Sequence, residues 1–181
     1  GIAKHFGSLL GPYPLISQPS QKQFESNLLV SMSRLDPKHI VFVESESRKI
    51  GNRQIPKALI EKMRNSKCLW IQMTVDARVK FLLAEYTHFV KNPEKFSNIV
   101  EKFSQYLEKE DFYRLMDNYK NKKWVEFVTI LLEKHYDPSY SASINKNFAQ
   151  CKKALILETE NYAETSQPYC AMAESLSKTF K

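Results

Sequence analysis

Two short apolar runs set the terms of the fold. Ile40–Val43 and Cys68–Met73 (CLWIQM) are each too short for a helix of useful length and are rich in bulky apolar residues, so each reads as a buried strand. Between them Pro56 is suited to open a helix whose Leu59, Ile60 and Met63 share a side. Strand, helix, strand within roughly 35 residues is the signature of a parallel βαβ unit. A later apolar stretch, Ala154–Leu157, reads as a closing strand.

Helical periodicity fills the rest. Ser20 and Gln23 form a capping box, and Phe24, Leu28, Met32 and Leu35 follow at helical spacing until Asp36-Pro37 ends the run. From Val75 the texture is helical throughout. One stripe comprises Val75, Val79, Leu82, Leu83, Tyr86 and Val90, and a second Phe96, Ile99, Val100, Phe103 and Leu107. A third has Phe112, Leu115, Met116 and Tyr119, and a fourth Trp124, Phe127, Val128, Leu131 and Leu132. Short connections such as Lys91-Asn92-Pro93 favour antiparallel packing of neighbours. HYDPSY, His135–Tyr140, is expected to close this block, and a last helix is expected from Ser166 to Phe180. The residues 7–19, with their Gly and Pro, read as an extended turn-rich segment. The expected architecture is α/β, a parallel sheet carrying an inserted helical bundle. The division is an α/β part over 1–74, a helical insert over 75–136, and a closing strand and helix over 137–181.

Composition narrows the partners. Lys and Arg number 27 against 20 Asp and Glu, a net charge of +7, which favours an anionic partner, nucleic acid above all. The basic residues are spread along the chain, so charge alone does not mark an interface. No GxxxxGK[ST] loop occurs among the 181 residues, and no apolar run is long enough to span a membrane. Cys68, Cys151 and Cys170 lie far apart without a CxxC, which argues against zinc and fits a reducing cytoplasm. Cys68 opens an apolar run and reads as a core thiol. The opening GIAKHFGSLLG, without Met, reads as a piece of a longer protein.

The chemistry concentrates in VFVESESRKIG, Val41–Gly51. Ligands of open parallel sheets sit beyond the carboxyl ends of the strands, and Glu44 and Glu46 fall at or past such an end. Two residues apart on an extended chain, they point the same way and can hold Mg²⁺ or orient a reacting group. Arg48 and Lys49 follow and can meet a phosphate. The competing reading is a solvated loop in which the glutamates pair with Arg48, Lys49 or Arg53. Arg78, in the first turn after the second strand, is mildly opposed by the helix dipole, so an anion or carboxylate is one reading for it, and a plain surface Arg is the leading one. His5, His39, His88 and His135 share no metal spacing, and no nucleophile, base and orienter can be assembled from the chain.

In order and spacing, KHFGSLLG, SQKQFES, VFVESESRKIG followed by IP, LWIQMTVDARV and HYDPSY resemble the tRNA 2-selenouridine synthase family. The resemblance runs from about Ala3 to Leu157. In that family a rhodanese-like domain carries the catalytic Cys and precedes a P-loop domain. The chain resembles the C-terminal part of that P-loop domain, without the rhodanese domain and the Walker A loop. The resemblance implies a cytoplasmic transferase that converts wobble 2-thiouridine of tRNA to 2-selenouridine through an S-geranyl intermediate. It implies tRNA as partner, selenophosphate and geranyl diphosphate as co-substrates, no cofactor held by this chain itself, and an upstream rhodanese/P-loop chain as a further partner. It places Gly7, Ser8, Gly11, Glu44, Glu46, Ser47, Arg48, Lys49 and Gly51 beside a nucleotide or pyrophosphate, with Arg78 as a further candidate. Two positions depart from the pattern: Phe6 stands where a basic residue is expected, and Ala142 where an Arg is expected. A non-catalytic basic tRNA-binding module and an inactive remnant are the alternatives.

Overall fold

Helix α1, Gln21–Ser33, starts where Ser20 Oγ accepts the Gln23 N–H at 3.1 Å. Only this half of the expected capping box forms, because the Gln23 side chain turns outward to Asn27 at 2.7 Å. The computed structural model describes residues 2–5, 16–44 and 47–159. The helix expected over 166–180 and most of the extended segment over 7–19 lie outside the described residues.

After α1 the expected strand Ile40–Val43 does not form. These four side chains are 39–54% exposed and their backbone has no regular structure. The reason is pairing. A strand is held by a neighbour's ladder, and Ile40–Val43 pairs with neither of the two two-stranded sheets among the described residues. Instead, β1 (Lys49–Ile50) and β2 (Arg53–Gln54) make a small antiparallel hairpin. Its turn begins at Gly51, φ +57°, where an added Cβ would fall against Gln18 and the His5 ring.

Helix α2 (Lys57–Arg64) is followed by β3 (Leu69–Gln72), then by α3 (Val75–Glu85). The parallel partner of β3 is β4 (Leu155–Glu158), with Leu69 opposite Leu155 and Gln72 opposite Glu158. The parallel sheet is therefore real but closes with the late strand, and the whole helical stretch lies in the crossover between its two strands.

That stretch holds α4 (Thr87–Lys91), α5 (Ser97–Glu101) flanked by 3-10 turns, α6 (Lys109–Lys120) and α7 (Trp124–Leu131). The first predicted stripe is split at Tyr86, where φ −94° and ψ 34° leave the helix. The break resets the phase and brings Phe89, which was on no stripe, into the core at 5% exposure. There it packs against the rings of Phe96, Trp124 and Phe127 at 4.9–5.6 Å. Val100, Phe103, Leu107, Leu115, Ile130 and Leu131 complete the cluster. Tyr119 donates its hydroxyl to the Pro93 carbonyl at 2.6 Å, so this polar tip at the packed surface is satisfied.

HYDPSY does not close the block. A single π turn, Leu132–Tyr136, leads straight into α8, Asp137–Asn147, with Pro138 in its first turn. Proline has no N–H to offer the turn behind it, and the widened turn absorbs that loss without ending the helical path. A smaller cluster of Ile60, Ile144 and Phe148, with Trp70 and Tyr140 against it, ties α2 and α8 to β3. No helix among the described residues is long and apolar enough to cross a membrane.

Candidate functional site

The carboxyl end of β3 builds the site. Met73 and Thr74 follow the strand, and Thr74 Oγ1 accepts the Ala77 N–H at 3.3 Å, capping α3. This puts Arg78 one turn into the helix, on the side facing α8. Asp137 opens α8 directly opposite. Arg78 Nη1 and Nη2 donate to Asp137 Oδ2 and Oδ1 at 2.9 and 2.6 Å. The pair is half-buried, so it fixes geometry more firmly than a surface pair while keeping part of both charges in contact with solvent. Arg78 is therefore not the plain surface arginine that was the leading expectation from sequence; its partner is Asp137, which pattern reasoning left unassigned although it stands inside HYDPSY. Its signal was the Asp-Pro at a helix start.

Beside this ion pair opens a cavity of about 640 Å³. Its walls are apolar: Trp70, Ile71 and Met73 from β3 and its end, Phe81, Leu82 and Tyr86 from α3 and just after it, and Trp124, Val128 and Leu131 from α7. Polar side chains among its lining residues include Glu44, Gln72, Arg78, Asp137, Tyr140 and Ser141. The volume falls within the roughly 300–1,000 Å³ of small-molecule sites, and a mostly apolar wall with a few convergent polar groups is their usual make-up. With Arg78 matched by Asp137, Glu44 leaves the charged rim net acidic. A bare polyanion is disfavoured at such a rim, while an apolar body is welcome below it.

The sequence-predicted residues divide. Glu44 and Arg78 come together on the cavity. Ser47, Arg48 and Lys49 do not line it; they belong to the hairpin. Arg48 Nε donates to the Ile55 carbonyl at 3.2 Å, while the Ile55 N–H bonds the Arg48 carbonyl at 2.8 Å. The Lys49 N–H is taken by Ser47 Oγ at 3.0 Å. Gln18 and Gln21, before and at the start of α1, serve the hairpin edges: Gln18 bonds the Ile50 carbonyl and Asn52 N–H, and Gln21 bonds both backbone groups of Gln54. The knot of charges is therefore partly a hairpin fastener, which neither sequence reading foresaw. Gly7, Ser8, Gly11 and Glu46 lie outside the described residues, so the Glu44–Glu46 pair is not seen together. Among the described residues no group of three or more His, Cys, Asp or Glu side chains is arranged to hold a metal ion. Ala142 sits exposed on α8, and Phe6 lies outside the described residues.

Cys68 is not a core thiol. It is half-buried at the opposite end of β3, and Cys151 brings its Sγ to 3.1 Å from it. Burial, with the neighbouring Cys151 thiol, pushes Cys68 up to about 11.

Comparison with known proteins places this geometry. A family model described as the tRNA 2-selenouridine synthase AAA domain matches residues 1–115, nearly two thirds of the chain. A protein of Shewanella sediminis named tRNA 2-selenouridine synthase is 30% identical over 179 residues, covering 81% of this chain and 47% of that relative. Proteins of the same name from Nitrosomonas eutropha and Cupriavidus necator are 34% and 36% identical over 88 and 92 residues, covering 47% and 48% of this chain and 22% and 24% of those relatives. The chain spans about half the length of the Shewanella relative. No solved structure matches it. On the extent of the family match, the chain belongs to the tRNA 2-selenouridine synthase family.

Proposed function

We propose that this chain is the part of a tRNA-modifying transferase that receives a geranyl group, in an enzyme converting wobble 2-thiouridine to 2-selenouridine through an S-geranyl intermediate with selenophosphate as selenium donor. The apolar cavity beside the Arg78–Asp137 pair carries this reading. A short prenyl chain is an apolar body with one polar end, and the cavity has apolar walls with one charged rim. Transferring that chain out of water is favourable by roughly 0.8 kcal/mol per CH₂ buried. The diphosphate end is a different matter. Arg78 has donors left over after Asp137 takes two, but the rim is net acidic. A diphosphate therefore arrives with a divalent cation, which Glu44 can help to hold, or draws Arg78 away from Asp137.

The basic balance of the chain supports tRNA as the macromolecular substrate. The parallel pairing of β3 with β4 supports reading the chain as one P-loop-like unit, with 1–74 as its α/β part and a helical insert that starts at 75 and runs on through α8 before the closing strand β4. The hairpin residues Ser47, Arg48 and Lys49, with Gly7, Ser8, Gly11 and Glu46, are the proposed phosphate-side neighbours. Cytoplasmic activity goes with this reading.

Ser141→Trp tests it. Ser141 is an exposed lining residue of α8, so a bulky ring there narrows the cavity without entering the core. In the full-length protein containing this chain, nucleoside mass spectrometry of 2-thiouridine tRNA should show geranylated and selenated uridine falling roughly tenfold or more, equivalent to ~1.4 kcal/mol of lost binding. Unchanged turnover with an unchanged melting temperature would rule the cavity out as the geranyl site.

A further inference from the structure

The two thiols at the far end of β3 have no role in the site just described. Cys68 immediately precedes β3, and Cys151 ends three residues short of Ala154, the residue before β4. The Leu155 N–H bonds the Cys68 carbonyl at 3.2 Å, and the Ala154 N–H bonds the Cys151 carbonyl at 3.2 Å. Backbone hydrogen bonds thus hold both residues at the amino-terminal end of the parallel pair. Their sulfurs lie 3.1 Å apart, and both are reduced. A disulfide needs about 2.05 Å, so closure asks for a movement of roughly 1 Å, within the reach of small side-chain rotations. Both thiols are half-buried rather than sealed in the core, so small oxidants reach them.

We propose that Cys68 and Cys151 form a reversible disulfide, a redox modification site that pins the amino-terminal ends of β3 and β4. With hydrogen peroxide as oxidant the step balances. One thiol releases its proton and its sulfur attacks a peroxide oxygen; the O–O bond breaks, and the hydroxide that leaves takes up that proton as water, giving a sulfenic acid. The second thiol attacks that sulfur, the S–O bond breaks, and a second water leaves with the thiol's proton. Two thiols have lost two electrons and peroxide has gained them. A dithiol reductant reverses the step by exchange. The crossover that the bond would staple runs 83 residues and contains every helix from α3 to α8. The bond forms at the end of the sheet opposite the Arg78–Asp137 cavity, so it clamps the scaffold and leaves the cavity open. The high value for Cys68, which burial and its neighbour raise to about 11, keeps that thiol protonated near neutrality and makes closure faster as pH rises.

The full chain is treated with hydrogen peroxide, alkylated, and digested without reductant. The expected map shows one dominant cross-link, Cys68 to Cys151, restored to free thiols by dithiothreitol. The oxidised chain should melt several degrees higher than the reduced chain, with no such rise in Cys68→Ser or Cys151→Ser. The wild-type map decides the matter even if either variant folds poorly. Sulfinic acid at Cys68 or Cys151 without a cross-link, or a cross-link to Cys170 in place of this pair, would overturn the proposal, as would oxidation that leaves the melting temperature unchanged.

Discussion

Arg78 and Asp137 decide how the cavity keeps its rim. They lie 59 residues apart in sequence and meet in a fork with both Nη atoms engaged. The side chains are 31% and 38% exposed, which sets the magnitude between two limits. Fully exposed pairs contribute about 0.2–1 kcal/mol, and breaking a fully buried pair costs about 3–5 kcal/mol. A double-mutant cycle with Arg78→Gln and Asp137→Asn, read by urea unfolding, should therefore give a coupling of about 1 kcal/mol. A coupling near zero would mean that the two side chains are held by their helices and not by one another. Arg78 was only half legible in the sequence: a positive charge in a first turn is mildly unfavourable, which hinted at a partner, but a plain surface Arg was the leading reading. Asp137 was not legible, since its partner depends on α8 continuing past Pro138, and that depends on a π turn no periodicity announces. Cys151 was illegible for a similar reason: its proximity to Cys68 exists only because β4 pairs with β3.

Elements divide by whether they find a partner. α6 and α7 form as their stripes require, because each apolar face meets another in the cluster around Phe103 and Phe127. Ile40–Val43 has as strong an apolar signal and forms no strand, because strand formation needs a ladder as well as hydrophobicity. The difference is measurable. Phe127 is 1% exposed, and Phe127→Ala should cost about 3–5 kcal/mol in thermal or urea unfolding. Val43 is 54% exposed, and Val43→Ala should stay within about 0.5 kcal/mol of the parent. A cost above about 1.5 kcal/mol for Val43→Ala would show that Ile40–Val43 is buried as a strand in solution after all. The charged knot that follows it was readable as a cluster but not as a hairpin. The fastening by Gln18 and Gln21 comes from a helix start some thirty residues away, which sequence spacing does not reveal.

For the whole molecule, the α/β class and the helical stretch were legible, and the pairing order of the strands was not, since hydrophobic runs state that strands exist and not which of them are neighbours. The net charge of +7 belongs to this scale as well. Binding of tRNA by the chain should weaken steeply with salt, with a log–log slope of about −0.7 to −0.9 per phosphate contacted, measured by filter binding between about 50 and 200 mM salt. A curve indifferent to salt would remove electrostatics as the basis of the contact. The proposal that this cavity takes a prenyl chain has a more direct readout, because Trp70 and Trp124 both line it. The chain is titrated with geranyl diphosphate in the presence and absence of Mg²⁺, following tryptophan fluorescence, with inorganic diphosphate as the control. The expected result is a saturable change with geranyl diphosphate, stronger with Mg²⁺ because the rim is net acidic, and none with inorganic diphosphate. An equal response to both ligands, or no response to geranyl diphosphate at any concentration, would contradict the assignment of this cavity to the prenyl chain.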